Sequence, residues 1–430
     1  MSRTADPHQR ARVAGSSRPG GRFPGQADQT SRTADFRNAL AGALPERPFR
    51  LELWDGTALE PTNGDGGPTF RLTSPQALGH VLRAPGQLGL GRAYVSGGIE
   101  VDDMDAALAL LAGWSPPPLD ARAKRDIALA SIKAGALRTL PKVPAMELRP
   151  KGRRHSLLRD RRAVTHHYDL SNEYFALFLD ESMTYSCGIF SRGAQTLEEA
   201  QFAKRDLVCT KLALKEGDRV LDVGCGWGSF AIHAATRYGA HVTGITLSEP
   251  QARLARERAA AAGVAGQVDI RVMDYREIAG ETFDAIASIG MVEHVGSVNI
   301  DLYAAKLASL LKPGGRLLNH GIARLRVGDG EAGPFSERYV FPDAAPLHLS
   351  RIQLALERAG FHTEHVEDFP QDYARTLLEW QRRFESNIDQ ARRLGGDERV
   401  RVWRIYLRVS RRGFESGFIS VYQVKASLPG

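Results

Sequence analysis

Arg219-Val-Leu-Asp-Val-Gly-Cys-Gly-Trp-Gly228 is the stretch that decides the fold of this chain. Val220, Leu221 and Val223 are apolar and β-compatible, so they read as a buried strand. Gly224, Gly226 and Gly228 follow at every second position, and Ser229-Phe-Ala-Ile-His-Ala-Ala then opens a helix. A strand running through a glycine-rich turn into a helix lets the backbone approach a ligand closely and aims free N–H groups at it. The spacing is G-x-G-x-G rather than the G-x-G-x-x-G of dinucleotide-binding folds.

Segments of alternating type surround this loop. A helix over Leu197 to Leu214 precedes it. Downstream, strands at His241-Val-Thr-Gly-Ile-Thr-Leu, Val268-Asp-Ile-Arg-Val, Phe283-Asp-Ala-Ile-Ala-Ser-Ile and Gly315-Arg-Leu-Leu-Asn-His alternate with helices over Pro250 to Ala262 and Asp301 to Leu311. Strands and helices of these lengths predict an α/β fold, a doubly wound, Rossmann-like parallel sheet whose ligand sits at the C-terminal edge of its first strands. A dinucleotide fold would end its second strand in an acid for the ribose. Here that strand runs into Gly244-Ile-Thr-Leu-Ser-Glu-Pro-Gln251, so Thr246, Ser248 and Gln251 offer hydroxyl and amide contacts, and Glu249 reads as a first-turn helix residue. The third strand ends Met273-Asp-Tyr-Arg276, where Asp274 suits an adenine amine and Tyr275 its face. Taken in order, with Asp222 and the loop glycines, these features are those of S-adenosylmethionine (SAM) methyltransferases.

The rest of the chain bounds the partners. It has 430 residues, enough for two or three domains, and a net charge of +7. That charge implies an anionic partner or a solvated basic face, and does not choose between nucleic acid and phospholipid. Residues 1–35 hold arginines at 3, 10, 12, 18, 22 and 32 among Gly, Ser and Pro, which predicts a disordered basic tail. Such a tail fits contact with anionic lipid and equally fits solubilisation alone. Residues 36–114 alternate short strands and helices and read as a small N-terminal α+β domain with a binding or positioning role. Its expected parts are a strand at Phe49-Arg-Leu-Glu-Leu-Trp, a turn at Asp55-Gly56, a strand at Phe70-Arg-Leu-Thr, a helix from Ser74-Pro, a turn-and-strand unit over 89–101 and a helix over Met104 to Ala112. Residues 115–163 read as a basic helical linker that contains Lys151-Gly-Arg-Arg-His-Ser-Leu-Leu-Arg-Asp-Arg-Arg162. That strip suits an anionic membrane surface or an exposed connector. Residues 164–430 form the catalytic domain.

No run reaches the length of a membrane span, and no apolar core follows the first arginines, so neither a signal peptide nor a transmembrane helix is expected. Cys187, Cys209 and Cys225 show no CxxC or His clustering, which argues for a reducing, cytoplasmic setting and against a structural metal. After the fourth strand, methyltransferases acting on DNA amino groups carry an Asn/Asp-Pro-Pro-Tyr element. This chain has Ser288-Ile-Gly-Met-Val-Glu-His-Val-Gly296 there, and no nucleic-acid partner is expected.

His166-His-Tyr-Asp-Leu-Ser-Asn172, Met183-Thr-Tyr-Ser-Cys-Gly188, the Asp222–Gly228 loop, Gly290-Met-Val-Glu-His-Val-Gly296 and Tyr339-Val-Phe-Pro342 together resemble the cyclopropane-fatty-acyl-phospholipid synthases. That family includes the mycolic acid cyclopropane synthases. The resemblance is dense from about 164 to 430, and Gly91-Arg-Ala-Tyr-Val-Ser-Gly-Gly-Ile-Glu resembles the extra N-terminal domain of the longer members. It implies attack by an acyl-chain double bond on the SAM methyl, a carbocation in the chain, and ring closure on loss of one proton from the transferred methyl. An alkene is a poor nucleophile, so the site must supply proximity, dryness and cation stabilisation.

The resemblance also implies a bound bicarbonate as general base, cradled by Cys187 and Ile322 through their backbones and by Glu293, His320 and Tyr373. Without the family, Glu293 and His320 are a candidate general acid/base pair. The same likeness assigns Tyr185, Ser186, Gly224, Gly226, Trp227, Gly228, Thr246, Ser248, Gln251, Tyr275 and Arg276 to SAM, and Tyr168 and Tyr406 to the substrate pocket. The expected partners are membrane phospholipids with unsaturated acyl chains at a peripheral, anionic membrane surface, and longer relatives suggest a homodimer. Two outcomes stay open: a ring, or a methylene- or methyl-branched chain. Glu293, His294, His320 and Tyr373 point to the ring.

Overall fold

The computed structural model describes residues 26–64, 66–138, 140–148, 159, 171–324, 326, 333–340 and 346–430. Most of the basic strip at 151–162, the first 25 residues, and Tyr168 with its His-Tyr-Asp motif lie outside them.

The N-terminal part opens with helix α1 (Gln26–Ala43), so the expected tail ends earlier than residue 35. Phe36 and Thr33 are buried on this helix, which packs on α5 (Ala121–Lys133), and that burial overrides the polar composition. Strands β1 (Arg50–Glu52), β2 (Ala58–Leu59), β3 (Thr69–Leu72) and β4 (Ile99–Val101) form a sheet in the order β2-β1-β3-β4. The expected hairpin is present, with Gly56 at φ 81° and the Asp55 carboxylate accepting from the Thr57 N–H. Helices α2 (Gln76–Arg83), α3 (Gln87–Val95) and α4 (Met104–Gly113) complete the unit.

The turn-and-strand unit expected over 89–101 does end in a strand, β4, but its first part to Val95 is helical. The glycines of this helix serve close approach rather than bending: a Cβ on Gly91 would lie 2.3 Å from Phe335, and one on Gly89 2.2 Å from the Ala84 carbonyl oxygen. The expected linker is also folded onto this domain as far as residue 148. Ala134 and Ala136 are buried, and Glu147 takes a bidentate pair from Arg92 at 2.6 and 2.7 Å.

The larger part holds α6 (Asn172–Ala176), α7 (Leu197–Lys211), β5 (Arg219–Val223), α8 (Ser229–Tyr238), β6 (His241–Thr246), α9 (Glu249–Ala261), β7 (Val268–Val272), β8 (Phe283–Ile289), α10 (Ile300–Ser309) and β9 (Leu311–Arg324). The chain continues through α11 (Pro334–Tyr339), α12 (Leu349–Arg358), β10 (His362–Asp368), α13 (Pro370–Ser386), α14 (Ile388–Glu415) and β11 (Ile419–Ser427). The strand order is β10-β11-β9-β8-β5-β6-β7. Strands β5 to β9 pair in parallel as expected, whereas β10 and β11 add antiparallel, making the sheet mixed. Thr196 and Glu199 close a capping box that starts α7.

The two parts share one core. Phe335, Tyr339 and Val402 from the catalytic side pack with Tyr94, Val95 and Leu72. Asp105, on α4, receives Arg408 at 3.1 Å and Arg411 at 2.6 Å, both from α14. Helix α14 is thus the seam between the parts, and it also carries Tyr406.

Candidate active site

Strand β5 delivers its chain into a cavity of about 160 Å³ at the C-terminal edge of the sheet. Gly224, Gly226 and Gly228 have φ of 81°, 54° and 78°, a region that side chains avoid, which is why the loop needs glycine. Gly224, Gly226 and Trp227 line the cavity. Gly228 stands behind it as the residue before α8, where a Cβ would press on Ala255 at 3.1 Å. The Trp227 indole donates to Asn172 Oδ1 at 2.8 Å, fixing the loop against α6.

Thr246 and Gln251 also line the cavity, joined by a 2.8 Å bond from the Thr246 hydroxyl to Gln251 Oε1. Ser248 does not line it. Its hydroxyl caps α9 by accepting from the Gln251 N–H, and Glu249 occupies the first turn. Asp274, Tyr275 and Arg276 form the far wall, where Asp274 holds the Arg276 guanidinium at 2.8 and 2.7 Å and caps the turn over 275–277. Tyr185 and Ser186 close the near side.

Lys204 was not singled out by sequence, because a helical lysine ordinarily reads as solvated. It is 1 % exposed, lines this cavity, and donates from Nζ to Ser186 Oγ at 2.8 Å. Asp222 is also buried and lines the cavity, with one carboxylate oxygen unpartnered among the described residues. Burial pushes the lysine pKa down and the aspartate pKa up, each favouring the neutral form. The Lys204 Nζ keeps donor capacity at the cavity wall beyond its bond to Ser186, and a ligand carboxylate placed there would favour the ammonium again and pair with it.

A second cavity, about 860 Å³ and overwhelmingly apolar, lies between the two parts of the molecule. Phe49, Phe70 and Trp114 of the N-terminal part line it, as do Tyr373, Leu377, Tyr406 and Phe414 of α13 and α14. The two cavities share Tyr185, Gly290 and His294 as a common wall. Glu293, Ile322, Tyr373 and Tyr406 stand on the apolar side of that wall. Tyr185 donates to the Tyr406 hydroxyl at 3.1 Å. Its ring lies 5.2 Å from Trp380, among Phe175, Phe178 and Trp403, a core cluster that holds Tyr185 in place, while the rings of Tyr185, Tyr373 and Tyr406 themselves line the chamber and can stabilise positive charge.

Around the junction, buried polar atoms collect. Glu293 Oε1 accepts from the Ile322 N–H at 3.3 Å, in the place a strand neighbour would take. Its Oε2 has no partner among the described residues, and burial pushes its carboxyl up to about 7. His320 is 1 % exposed with both ring nitrogens unpartnered among the described residues. Burial first, then the Lys204 and Lys211 charges, holds it neutral, well below the ordinary histidine range. Gln423, which sequence reasoning did not single out, sits directly across from His320 on β11, and both its amide atoms are likewise unpartnered.

Cys187 is fully buried but lines neither cavity. Its thiol donates to the Gly188 carbonyl at 3.2 Å, and burial followed by the Asp372 charge pushes its pKa up, the reverse of an activated nucleophile. Among the described residues no group of side chains could hold a metal ion, and no helix is long and apolar enough to cross a membrane.

A glycine-loop cavity at the carboxyl edge of this sheet, opening beside an apolar chamber, defines a SAM-dependent methyltransferase that acts on lipid. Residues 155–424 match the family model described as mycolic acid cyclopropane synthetase, and the chain belongs to that family. It is 37 % identical over 392 residues to a probable fatty acid methyltransferase of Pseudomonas putida, covering 89 % of this chain and 92 % of that one. It is 33 % identical over 366 residues to the cyclopropane-fatty-acyl-phospholipid synthase of Escherichia coli strain K12, covering 84 % and 88 %. Among solved structures it is similar to mycolic acid cyclopropane synthase CmaA1 complexed with SAH and CTAB, with TM-score 0.59 and 32 % identity over 62 % of this chain and 98 % of that one.

Proposed function

We propose that this protein is a cyclopropane-fatty-acyl-phospholipid synthase, which transfers a methylene from SAM to the double bond of an unsaturated acyl chain in a membrane phospholipid. The observation that carries this reading is the wall of Tyr185, Gly290 and His294 shared by the two cavities. A chamber that presents Lys204, Asp222, Asp274 and Arg276 to a charged nucleoside there meets an apolar one fit for an acyl chain.

The residues present fit both small molecules that the reading requires. The loop glycines, Trp227, Thr246, Gln251, Asp274, Tyr275, Arg276 and Lys204 would hold SAM. Glu293, Tyr373 and the backbone at Ile322, which line the apolar chamber, would hold bicarbonate, with His320 and the Cys187 backbone buried behind that lining, and the unpartnered Glu293 Oε2 and His320 nitrogens are what such an anion would satisfy. When bound, SAM supplies an electrophilic methyl and bicarbonate a base for the departing proton.

The chain's own contributions follow from their positions. The apolar chamber excludes water from the chain it would hold. The aromatic rings of Tyr185, Tyr373 and Tyr406, which line the chamber, stabilise positive charge that develops on the chain. Ionised Glu293 accepts a hydrogen bond from whatever sits beside it, and neutral His320 retains both a donor and an acceptor. The name of the Pseudomonas putida relative supports a second reading, in which the same first step ends in a methyl- or methylene-branched chain. NMR of the lipid product decides between them: high-field ring protons fit the synthase, and an exocyclic alkene or branch methyl fits the alternative.

A further inference from the structure

Helix α5 and the turn after it carry an unusual surface. Leu129, Ile132, Leu137 and Leu140 are 51, 46, 39 and 67 % exposed. Four of the thirteen large apolar side chains this exposed among the described residues thus fall within twelve residues, a density that scattered surface leucines do not produce. The turn folds back on the helix end through bonds from the Gly135 N–H to Ile132 O and from the Ala136 N–H to Ser131 O, and the Arg138 N–H continues it to Gly135 O. Exposed Lys124, Arg138 and Lys142 flank the four apolar side chains, together with Arg125, which pairs with Asp126 at 3.3 Å, so the surface carries a surplus of positive charge.

The other face of this helix belongs to the apolar chamber, which Ile127 and Ser131 line. Helix α5 is therefore a thin wall, with an acyl-sized chamber on one side and an apolar, basic surface on the other. We propose that this surface, Leu129 to Leu140, is where the protein docks on an anionic lipid bilayer. The apolar side chains enter the headgroup boundary and the cations meet the phosphates. Two copies of such a surface would bring like charges together, whereas anionic headgroups complement it. The inference rests on the reading of the chamber as an acyl site, and it names the membrane face that serves it.

The test uses the full-length protein and vesicles of unsaturated phosphatidylcholine with or without phosphatidylglycerol. Wild type is expected to sediment with the phosphatidylglycerol vesicles, and a Leu129→Ser, Ile132→Ser, Leu140→Ser variant to bind them at least tenfold more weakly. The variant should keep its melting temperature and its activity on detergent-dispersed phospholipid. Undiminished vesicle binding by a folded variant overturns the proposal. So does a wild-type dimer that the variant breaks while vesicle binding persists, since the surface would then join two copies. Loss of vesicle binding together with a wild type that modifies no lipid would sustain the docking surface and reject the acyl reading, so the two fail separately.

Discussion

The Tyr185 hydroxyl donates to the Tyr406 hydroxyl across 3.1 Å, tying the wall of the donor cavity to the floor of the acyl chamber. Tyr185 comes from the loop that follows α6 and Tyr406 from α14, 221 residues later, so the bond connects distant parts of the chain where the two cavities meet. Tyr406→Phe removes the acceptor and leaves the Tyr185 hydroxyl to find another. A loss of about 1 kcal/mol of stability is expected by thermal melting, with a larger fall in kcat than in SAH affinity.

Glu293 is expected to impose a pH dependence of known sign. Its folded pKa, about 7, is raised above the ordinary 4.5, so the folded state holds the proton more tightly than the unfolded chain. Stability from this residue is fully present below about 4.5 and is lost as pH rises to about 7. Activity that needs the ionised acceptor rises over the upper part of the same interval. Glu293→Gln should lower kcat roughly 10²–10⁴-fold while leaving SAH binding intact. At pH 8 it should gain stability on the order of 3 kcal/mol relative to wild type, and the gain should vanish near pH 4. Calorimetry at the two pH values measures it.

Lys204 should matter to the donor and not to the acyl chain. Removing a charge-assisted bond to the donor's carboxylate by Lys204→Met is expected to weaken SAH binding about tenfold to a hundredfold, read by titration calorimetry. Burial lowers the lysine pKa, so the unfolded chain binds that proton more tightly and wild-type stability rises with pH toward the ordinary lysine value. Lys204→Met removes that slope.

Gly321 tests the placement of Glu293 without changing the carboxylate itself. A Cβ there would lie 2.2 Å from Val292 Cγ1 and 3.1 Å from Glu293 Oε2, so Gly321→Ala must push the 292–294 turn off β9. A stability loss of roughly 1–3 kcal/mol is expected. The accompanying loss of kcat should be on the order of a hundredfold, with the donor cavity still binding SAH.

The donor half of the site was readable in sequence because its signals are local. The Asp222–Gly228 loop, Thr246 and Asp274–Arg276 each follow directly on a strand that hydrophobic patterning reveals. The acyl chamber was not, since it is assembled from β1, β3, α4 and α14, which no short stretch of sequence brings together. Strand β10 escaped because His362-Thr-Glu-His-Val-Glu-Asp is an edge strand dressed in charge, as edges are. Helix α3 was misread because its glycines look like turn residues, when Gly91 makes room for Phe335 and Gly89 for the backbone at the end of α2. Lys204 and Gln423 look like surface side chains, and only their burial exposes them as parts of the site.

The central claim is a one-carbon transfer to an acyl double bond with loss of one hydron from the transferred methyl. It is tested most directly with SAM carrying a trideuterated methyl group, unsaturated phospholipid vesicles, and mass spectrometry with NMR of the released acyl chains. The proposed function requires an acyl chain heavier by one CD₂ unit, bearing high-field cyclopropane carbons and no remaining double bond. A chain that retains all three deuterons as a methyl branch, or a lipid that gains no carbon at all, would contradict it.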